Sequence, residues 1–161
     1  MKELILLRHA KSSWQLNVAD RHRPLTEKGM LRIQNMALAS SEVFSNAEII
    51  FTSPANRACH TVSIMAHSLN IPFEKVVLVE DLYTFEASKL IHYIRNISDI
   101  YHCVVCVGHN PAFTNAIEYF SGSDFNHLPT AAWAHLKFTQ NNWATVGRGA
   151  LSIGMPKERL K

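Results

Sequence analysis

Short apolar runs alternate with longer amphipathic stretches along the first three quarters of the chain. Four runs have the length of buried strands and cover residues 4–7, 48–52, 76–79 and 103–107. Continuous apolar runs of this length are typical of strands that are covered on both faces of a sheet. The pattern predicts a parallel sheet whose strands are connected by helices.

Helical periodicity fills the segments between the first three runs. Thr26 is a candidate N-cap for a helix that extends to about residue 43. Ser53-Pro54 has the order of an N-cap and a first helical position, and apolar residues follow it at helical spacing. We therefore expect one helix after the first strand and another after the second.

The remaining segments complete the predicted architecture. Residues 87–97 have a helical pattern, and Asn110-Pro111 predicts the start of a helix that continues to about residue 120. Residues 131–153 predict two further strands around a turn at Asn141-Asn142. This alternation indicates an α/β fold, a three-layer αβα sandwich with a mostly parallel central sheet and helices on both faces.

Length and composition narrow the class of protein. A chain of 161 residues that is 47% hydrophobic and 18% charged is expected to form one folded domain over residues 1–161. Its net charge of +3 comes without a basic run, so nucleic acid is not an expected partner. The longest apolar run is far shorter than the ~18 residues of a membrane span. Three cysteines and no export signal favour a cytoplasmic location.

Polar residues follow each predicted strand at its carboxyl end. In open α/β sheets, ligands bind beyond these strand ends. The residues that follow the four strands in turn are Arg8 with His9, Ser53 with Arg57 one helical turn further on, Glu80 with Asp81, and His109 with Asn110. Two histidines and two arginines from distant parts of the chain are therefore expected at one edge of the sheet.

Arg57 makes an anion the expected ligand of this edge. It falls in the first turn of a predicted helix, where the helix dipole disfavours a cation unless an anion lies nearby. Helix N-termini also offer free N–H groups to anions, and two such termini point to this edge. Because the planar fork of arginine can bind two oxygens at once, phosphate is the favoured anion.

Four ordered motifs show a resemblance to a known family. They are RHAKSSW at residues 8–14, RPLTEKG at residues 23–29, SPANRACHT at residues 53–61 and VGHNP at residues 107–111. Together they resemble the histidine phosphatase superfamily, which includes the phosphoglycerate mutases. The short chain and the RPLT segment are most similar to the SixA-like phosphohistidine phosphatases of that superfamily.

The resemblance implies a phosphoglycerate mutase-like fold and a role for each matching residue. It implies that His9 is the nucleophile and becomes phosphorylated, while Arg8, Arg57 and His109 bind the phosphoryl oxygens. Arg23 and Ser12 are implied as secondary contacts to the phosphate. No metal or other cofactor is needed under this resemblance, because cationic side chains do the work of a metal ion.

The general acid is the least determined part of the predicted site. Many members of the superfamily use a carboxylate to protonate the leaving oxygen. Glu80 and Asp81 follow the third strand, and the spacing to Leu82-Tyr83 favours Asp81. If the substrate is a phosphohistidine, the leaving imidazole departs more readily than an alkoxide, and a strong acid is dispensable.

The substrate expectation depends on the short connections between strands. No segment is long enough for a lid, so an open pocket could admit a phosphohistidine on a protein surface. The alternative partner is a small phosphate ester or sugar phosphate, and inorganic phosphate is the product in either case. Mutase activity, a non-catalytic phosphate-binding module and a phosphotransfer protein are weaker hypotheses. The set of two histidines and two arginines favours catalysis over binding alone.

Overall fold

The computed structural model describes residues 1–155, which form a central sheet flanked by helices. The strands of this part of the chain are β1 (Lys2–Arg8), β2 (Ile49–Thr52), β3 (Val76–Leu78), β4 (Cys103–Gly108), β5 (Trp133–Phe138) and β6 (Ala150–Gly154). Its α-helices are α1 (Glu27–Ala39), α2 (Ser41–Ser45), α3 (Asn56–Leu69), α4 (Ala87–Arg95) and α5 (Ala112–Ser121).

The strands form one sheet in the order β3-β2-β4-β1-β5-β6. The neighbours β3, β2, β4 and β1 are parallel, and β5 runs antiparallel to both β1 and β6. The four parallel strands are joined by helical crossovers, as parallel pairing requires. The predicted α/β fold with a mostly parallel sheet is therefore confirmed.

Alternating side chains of the sheet build a core on each face. Leu4, Leu6, Val104 and Cys106 pack with buried residues of α4 and α5. The intervening residues of β1 and β4 pack on the other face with buried residues of α1, α2 and α3. Because successive strand residues point to opposite faces, each central strand contributes to both cores. The result is the three-layer αβα sandwich that the sequence predicts.

The third strand differs from the prediction. β3 has three residues and lies at the edge of the sheet, where it pairs with β2. Its residues Val77 and Leu78 are 39% and 62% exposed. The expectation that this run is covered on both faces is wrong, because an apolar run records hydrophobicity and not the position of a strand in the sheet.

The helix boundaries also differ in detail. Thr26 caps α1 as predicted, and its hydroxyl oxygen accepts a hydrogen bond from the Gly29 amide. Helix α1 ends at Ala39, and Ser40 separates it from the short helix α2. Helix α3 begins at Asn56, not after Ser53, because Ser53 extends the strand end. None of the helices in residues 1–155 has the length and apolarity that a membrane span requires.

Candidate active site

Four of the residues predicted for the site meet at the carboxyl ends of the central strands. Arg8 ends β1, His9 follows it, His109 follows β4, and Arg57 is the second residue of α3 after β2. Because β2, β4 and β1 are adjacent, these side chains line one cleft of about 420 Å³. Ser12 and Arg23 line the same cleft.

His9 is held in one tautomer by its own backbone. Its Nδ1 lies 2.7 Å from the carbonyl oxygen of Ala10. A carbonyl oxygen can only accept a hydrogen bond, so Nδ1 carries the proton and Nε2 keeps its lone pair. Burial lowers the pKa of His9 to about 3, and the positive charges of Arg57 and Arg8 act in the same direction. His9 is therefore neutral at pH 7, with a nucleophilic Nε2.

Arg57 lies next to that nucleophilic nitrogen. Its Nε donates to Nε2 of His9 at 3.3 Å, and only 2% of the residue is exposed. Its Nη1 donates to the carbonyl oxygen of Asp20 at 2.7 Å, and its Nη2 donates to the Asp20 carboxylate at 3.0 Å. The guanidinium is thus fixed beside Nε2 of His9.

Asp20 lies in the cleft although the sequence did not single it out. Its carboxylate accepts hydrogen bonds from Arg57, from Arg23 at 3.0 Å and from the Tyr83 hydroxyl at 2.5 Å. Burial raises the pKa of Asp20, but these hydrogen bonds outweigh it and lower the pKa to about 2. In the sequence, Asp20 is an isolated acidic residue three positions before Arg23. Only the folding of this loop brings its carboxylate to Arg57.

Arg23 and Ser12 are connected to each other and to Asp20. Arg23 is buried, its Nε donates to the carbonyl of Ser13 at 3.1 Å, and its Nη2 donates to the Ser12 hydroxyl. Its guanidinium also lies 3.2 Å from the ring centroid of Trp14. The cation is therefore fixed at the wall of the cleft before any ligand arrives.

Arg8 reaches the cleft from the carboxyl end of β1. Its Nη1 donates to the carbonyl oxygen of Leu128 at 2.9 Å and lies 3.3 Å from Nε2 of His127. The residue is half-buried at the end of β1. Arg8, at the end of β1, and Arg57, after β2, thus contribute cations to one cleft from the two sides of β4.

His109 lies beside His9 and is almost completely buried. The two ring centroids are 5.2 Å apart, and Nε2 of His109 lies 2.8 Å from the Ser53 hydroxyl. Nδ1 of His109 is buried and has no hydrogen-bond partner within residues 1–155. Burial and, to a smaller extent, the positive charge of Arg57 lower the pKa of His109 to about 3. The ring is a neutral group with one nitrogen available to a ligand.

Asp81 and Glu80 lie outside this cleft. Both residues belong to a one-turn helix after β3 and line a separate cavity of about 520 Å³ with Tyr83 and His92. The Glu80 carboxylate accepts two hydrogen bonds from the exposed Arg21 guanidinium, at 2.5 and 3.1 Å. Asp81 is exposed. The fold thus does not bring the two predicted acids to His9, because the turn directs them to the outer side of Tyr83.

Comparisons with known proteins agree with the observed fold. The sequence profile of the Histidine phosphatase superfamily (branch 1) matches residues 4–83. An uncharacterised chloroplast protein of Arabidopsis thaliana is 29% identical over 151 residues, which cover 88% of this chain and 69% of that protein.

Two solved structures extend the likeness over nearly the whole chain. The protein histidine phosphatase SixA complexed with tungstate is 20% identical, covers 99% of both chains and superposes with a TM-score of 0.82. The mycobacterial glucosyl-3-phosphoglycerate phosphatase is 12% identical, covers 95% of this chain and 98% of its own, and gives a TM-score of 0.71. At these identities the two structures establish the fold.

The fold and the cleft define an α/β protein whose cleft is lined by two histidines and three arginines. The chain belongs to the histidine phosphatase superfamily. The superfamily and the enzyme class, a phosphatase, are therefore confirmed as the sequence motifs predicted them.

Proposed function

We propose that the chain is a phosphohistidine phosphatase that forms a covalent phosphoryl intermediate on Nε2 of His9. The observation that carries the proposal is the 2.7 Å contact between Nδ1 of His9 and the Ala10 carbonyl. It leaves the Nε2 lone pair as the nucleophile in a cleft lined by three arginines, Arg8, Arg23 and Arg57. Such positioning of a neutral imidazole is what nucleophilic attack on phosphorus needs.

The first step transfers the phosphoryl group from the substrate to His9. A bond forms between Nε2 of His9 and phosphorus, while the bond between phosphorus and the leaving nitrogen breaks. The electron pair of the broken bond leaves with the substrate imidazole, which takes its proton from water. Arg57, whose Nε is 3.3 Å from the attacking nitrogen, is placed to donate to the equatorial oxygens as they cross to His9.

The second step hydrolyses the intermediate. Water attacks phosphorus, the bond to Nε2 breaks, and the electron pair returns to His9 as inorganic phosphate leaves. The Ala10 carbonyl continues to accept from Nδ1 and so stabilises the imidazolium charge of phosphorylated His9. One backbone contact therefore serves both steps.

His109 is proposed to bind the phosphoryl group as a neutral donor. The Ser53 hydroxyl accepts from the Ala55 amide at 3.2 Å and can donate to Nε2 of His109 at 2.8 Å. In that arrangement the proton of the neutral ring lies on Nδ1, the buried nitrogen with no partner within residues 1–155. A phosphoryl oxygen would satisfy this donor, and its negative charge would raise the pKa of His109.

The state of the cleft carboxylate favours a phosphohistidine substrate over a phosphate ester. Among the described residues that line the cleft, Asp20 is the one carboxylate. Its pKa is lowered to about 2 and its oxygens are engaged by Arg57, Arg23 and Tyr83, so it is a poor proton donor at pH 7. An alkoxide leaving group needs such a donor, whereas an imidazole departs without one.

A small phosphorylated molecule is the second candidate substrate. The cleft volume of about 420 Å³ lies in the range of small-molecule sites. Under this alternative the same histidine and arginine residues would act on a phosphate ester or sugar phosphate. The proton for the leaving oxygen would then have to come from water.

The nucleophile assignment is tested with His9→Ala. This change removes the attacking nitrogen, so turnover of every phosphorylated substrate should fall to background while the far-ultraviolet circular dichroism spectrum stays unchanged. Wild-type enzyme that is quenched with detergent at alkaline pH should carry phosphate that is stable in base and lost in acid, as in a phosphoramidate. Unchanged hydrolysis by the variant would reject His9 as the nucleophile.

The substrate class is tested with a panel of three phosphorylated compounds. Wild-type enzyme is given phosphohistidine on a folded protein, a sugar phosphate and an aryl phosphate at equal concentration. We expect kcat/KM to be highest for the phosphohistidine protein. A higher value for the sugar phosphate would favour the small-molecule alternative and leave the mechanism at His9 intact.

A further inference from the structure

The mouth of the cleft carries aromatic side chains that the proposed chemistry does not use. Trp14 lines the cleft and is nevertheless 77% exposed, and Phe85 lines it and is 46% exposed. Leu16 and Val18 follow in the loop of Trp14 and are 57% and 44% exposed. Grouped exposed apolar side chains beside a functional cleft are a mark of a contact surface.

Trp14 is held in place before a ligand arrives. Its ring stacks on the Arg23 guanidinium at 3.2 Å from the centroid. Arg23 is itself fixed by hydrogen bonds to the Asp20 carboxylate and the Ser13 carbonyl. An aromatic ring that is already ordered loses little freedom on binding, which makes it an effective anchor.

Phe85 is held in place by contacts with two neighbouring rings, those of His109 and Tyr83. Its ring centroid lies 5.6 Å from that of His109 and 5.9 Å from that of Tyr83. His9 is only 7% exposed, so a phosphoryl group has to enter the cleft while its carrier stays at the mouth. The carrier therefore meets Trp14 and Phe85.

We propose that Trp14 and Phe85 are specificity-determining residues that contact the folded protein surface around a phosphorylated histidine. The proposal rests on the phosphohistidine phosphatase function above and specifies how its protein substrate is recognised. A molecule small enough to fill the cleft would not need Leu16 and Val18, which do not line it. A protein surface would cover these side chains and gain the burial of their apolar area.

The test compares two substrates that share the reacting bond but differ in their carrier. Phosphoimidazole supplies the phosphoryl group and the leaving ring alone, and a folded protein with one phosphohistidine supplies the same bond on a surface. Trp14→Ala should lower kcat/KM for the protein about tenfold, mainly through a higher KM, because central exposed tryptophans often dominate binding. The value for phosphoimidazole should stay within about twofold of wild type.

Two further variants complete the experiment. Trp14→Phe keeps an aromatic ring over Arg23 and should restore a large part of the activity on the protein. Phe73→Ala removes a side chain that is 58% exposed in the groove between α1 and α3, away from the cleft. This control should leave kcat/KM unchanged for both substrates.

The outcomes separate this proposal from the proposed function. An equal loss on both substrates would show that Trp14 acts only through Arg23, and no loss on either would remove it from recognition, so both results overturn the proposal. Wild-type enzyme that hydrolyses phosphoimidazole but not the protein also overturns it and leaves the chemistry at His9 intact. Hydrolysis of neither would reject the proposed function itself.

Discussion

At the scale of single residues, Asp20 determines how the positive charges of the cleft are arranged. It pairs with Arg57 and Arg23, which are 2% and 6% exposed. A buried guanidinium without a partner would be destabilising, so the Asp20 carboxylate stabilises both cations in the fold. Asp20 is itself accessible, with 41% of its side chain exposed. Under the proposed function, an entering phosphoryl group would compete with this carboxylate for Arg57.

Arg57→Ala tests the contribution of the cation beside His9. The change removes a charge-assisted contact used in phosphoryl transfer, so kcat/KM should fall by two to three orders of magnitude, on the order of 3–4 kcal/mol. Steady-state kinetics on the best substrate measures this loss. Arg57→Lys should not restore the rate, because lysine lacks the planar fork.

Arg148→Ala is the matched control for this experiment. Arg148 is exposed and packs near Gly122 at the end of α5, away from the cleft. Its removal should leave kcat/KM unchanged. If Arg57→Ala and Arg148→Ala both keep a kcat/KM close to that of the wild type, the proposed role of Arg57 is contradicted.

At the scale of elements, the contact between α1 and the loop after β1 shapes one wall of the cleft. The Thr26 amide donates to the Lys11 carbonyl at 2.9 Å, and Thr26 also caps α1. Gly29, in the first turn of α1, lies so close to this loop that a Cβ atom would be 2.3 Å from the Lys11 oxygen. The RPLTEKG segment therefore ends in glycine because the helix contacts the backbone of the loop that carries Ser12.

Gly29→Ala should destabilise the fold, against the usual effect of this substitution. In a helix interior alanine is favoured over glycine by about 1 kcal/mol. Here the added methyl group would push α1 away from Lys11, and displacement of this kind costs about 1–3 kcal/mol. Urea denaturation should show a net loss of free energy of unfolding, and kcat/KM should fall as the loop moves.

Gly147→Ala is the control for the glycine experiment. A Cβ atom at Gly147 would have no heavy atom within 4 Å. Its free energy of unfolding should change by a few tenths of a kcal/mol at most. If Gly29→Ala is as stable as this control, the close contact of α1 with the loop is not restrictive.

At the scale of the whole molecule, two neutral histidines in one buried cleft couple stability to pH. The pKa values of His9 and His109 are lowered from 6.5 to about 3 in the folded chain. Between these values the unfolded chain binds more protons than the folded chain, so the free energy of unfolding decreases as the pH falls. Burial also lowers the pKa of His135, which adds to the same trend.

The predicted pH dependence is measured by urea denaturation at pH 6.5 and at pH 5. Each of the two cleft histidines contributes a slope of at most about 1.4 kcal/mol per pH unit in this window. His9→Ala should reduce the slope, because it removes one of the two cleft histidines whose pKa is lowered. Asp20 and Glu48 also have lowered pKa values in the folded chain. Their ordinary pKa values are 3.8 and 4.5, so the stability that they contribute is lost mainly below the pH window of this experiment. An unchanged slope in His9→Ala would contradict the lowered pKa.

Local patterns in the sequence are sufficient to predict the layered α/β fold and the residues that follow its strands. Apolar runs and helical periodicity depend on local order along the chain, and polar residues directly after a strand share its carboxyl end. For this reason the sequence is enough to assign His9, Arg8, Arg57 and His109 to one edge of the sheet. The phosphohistidine substrate and the cytoplasmic location stay predictions.

Which other side chains join that site depends on the packing of the loops around it. Asp20 belongs to a loop whose path has no periodic signal, so its hydrogen bond to Arg57 could not be foreseen. Glu80 and Asp81 follow a strand as His9 does, yet the turn after the edge strand β3 directs them into another cavity. Sequence position gives the end of a strand, whereas side-chain direction depends on how the following loop packs.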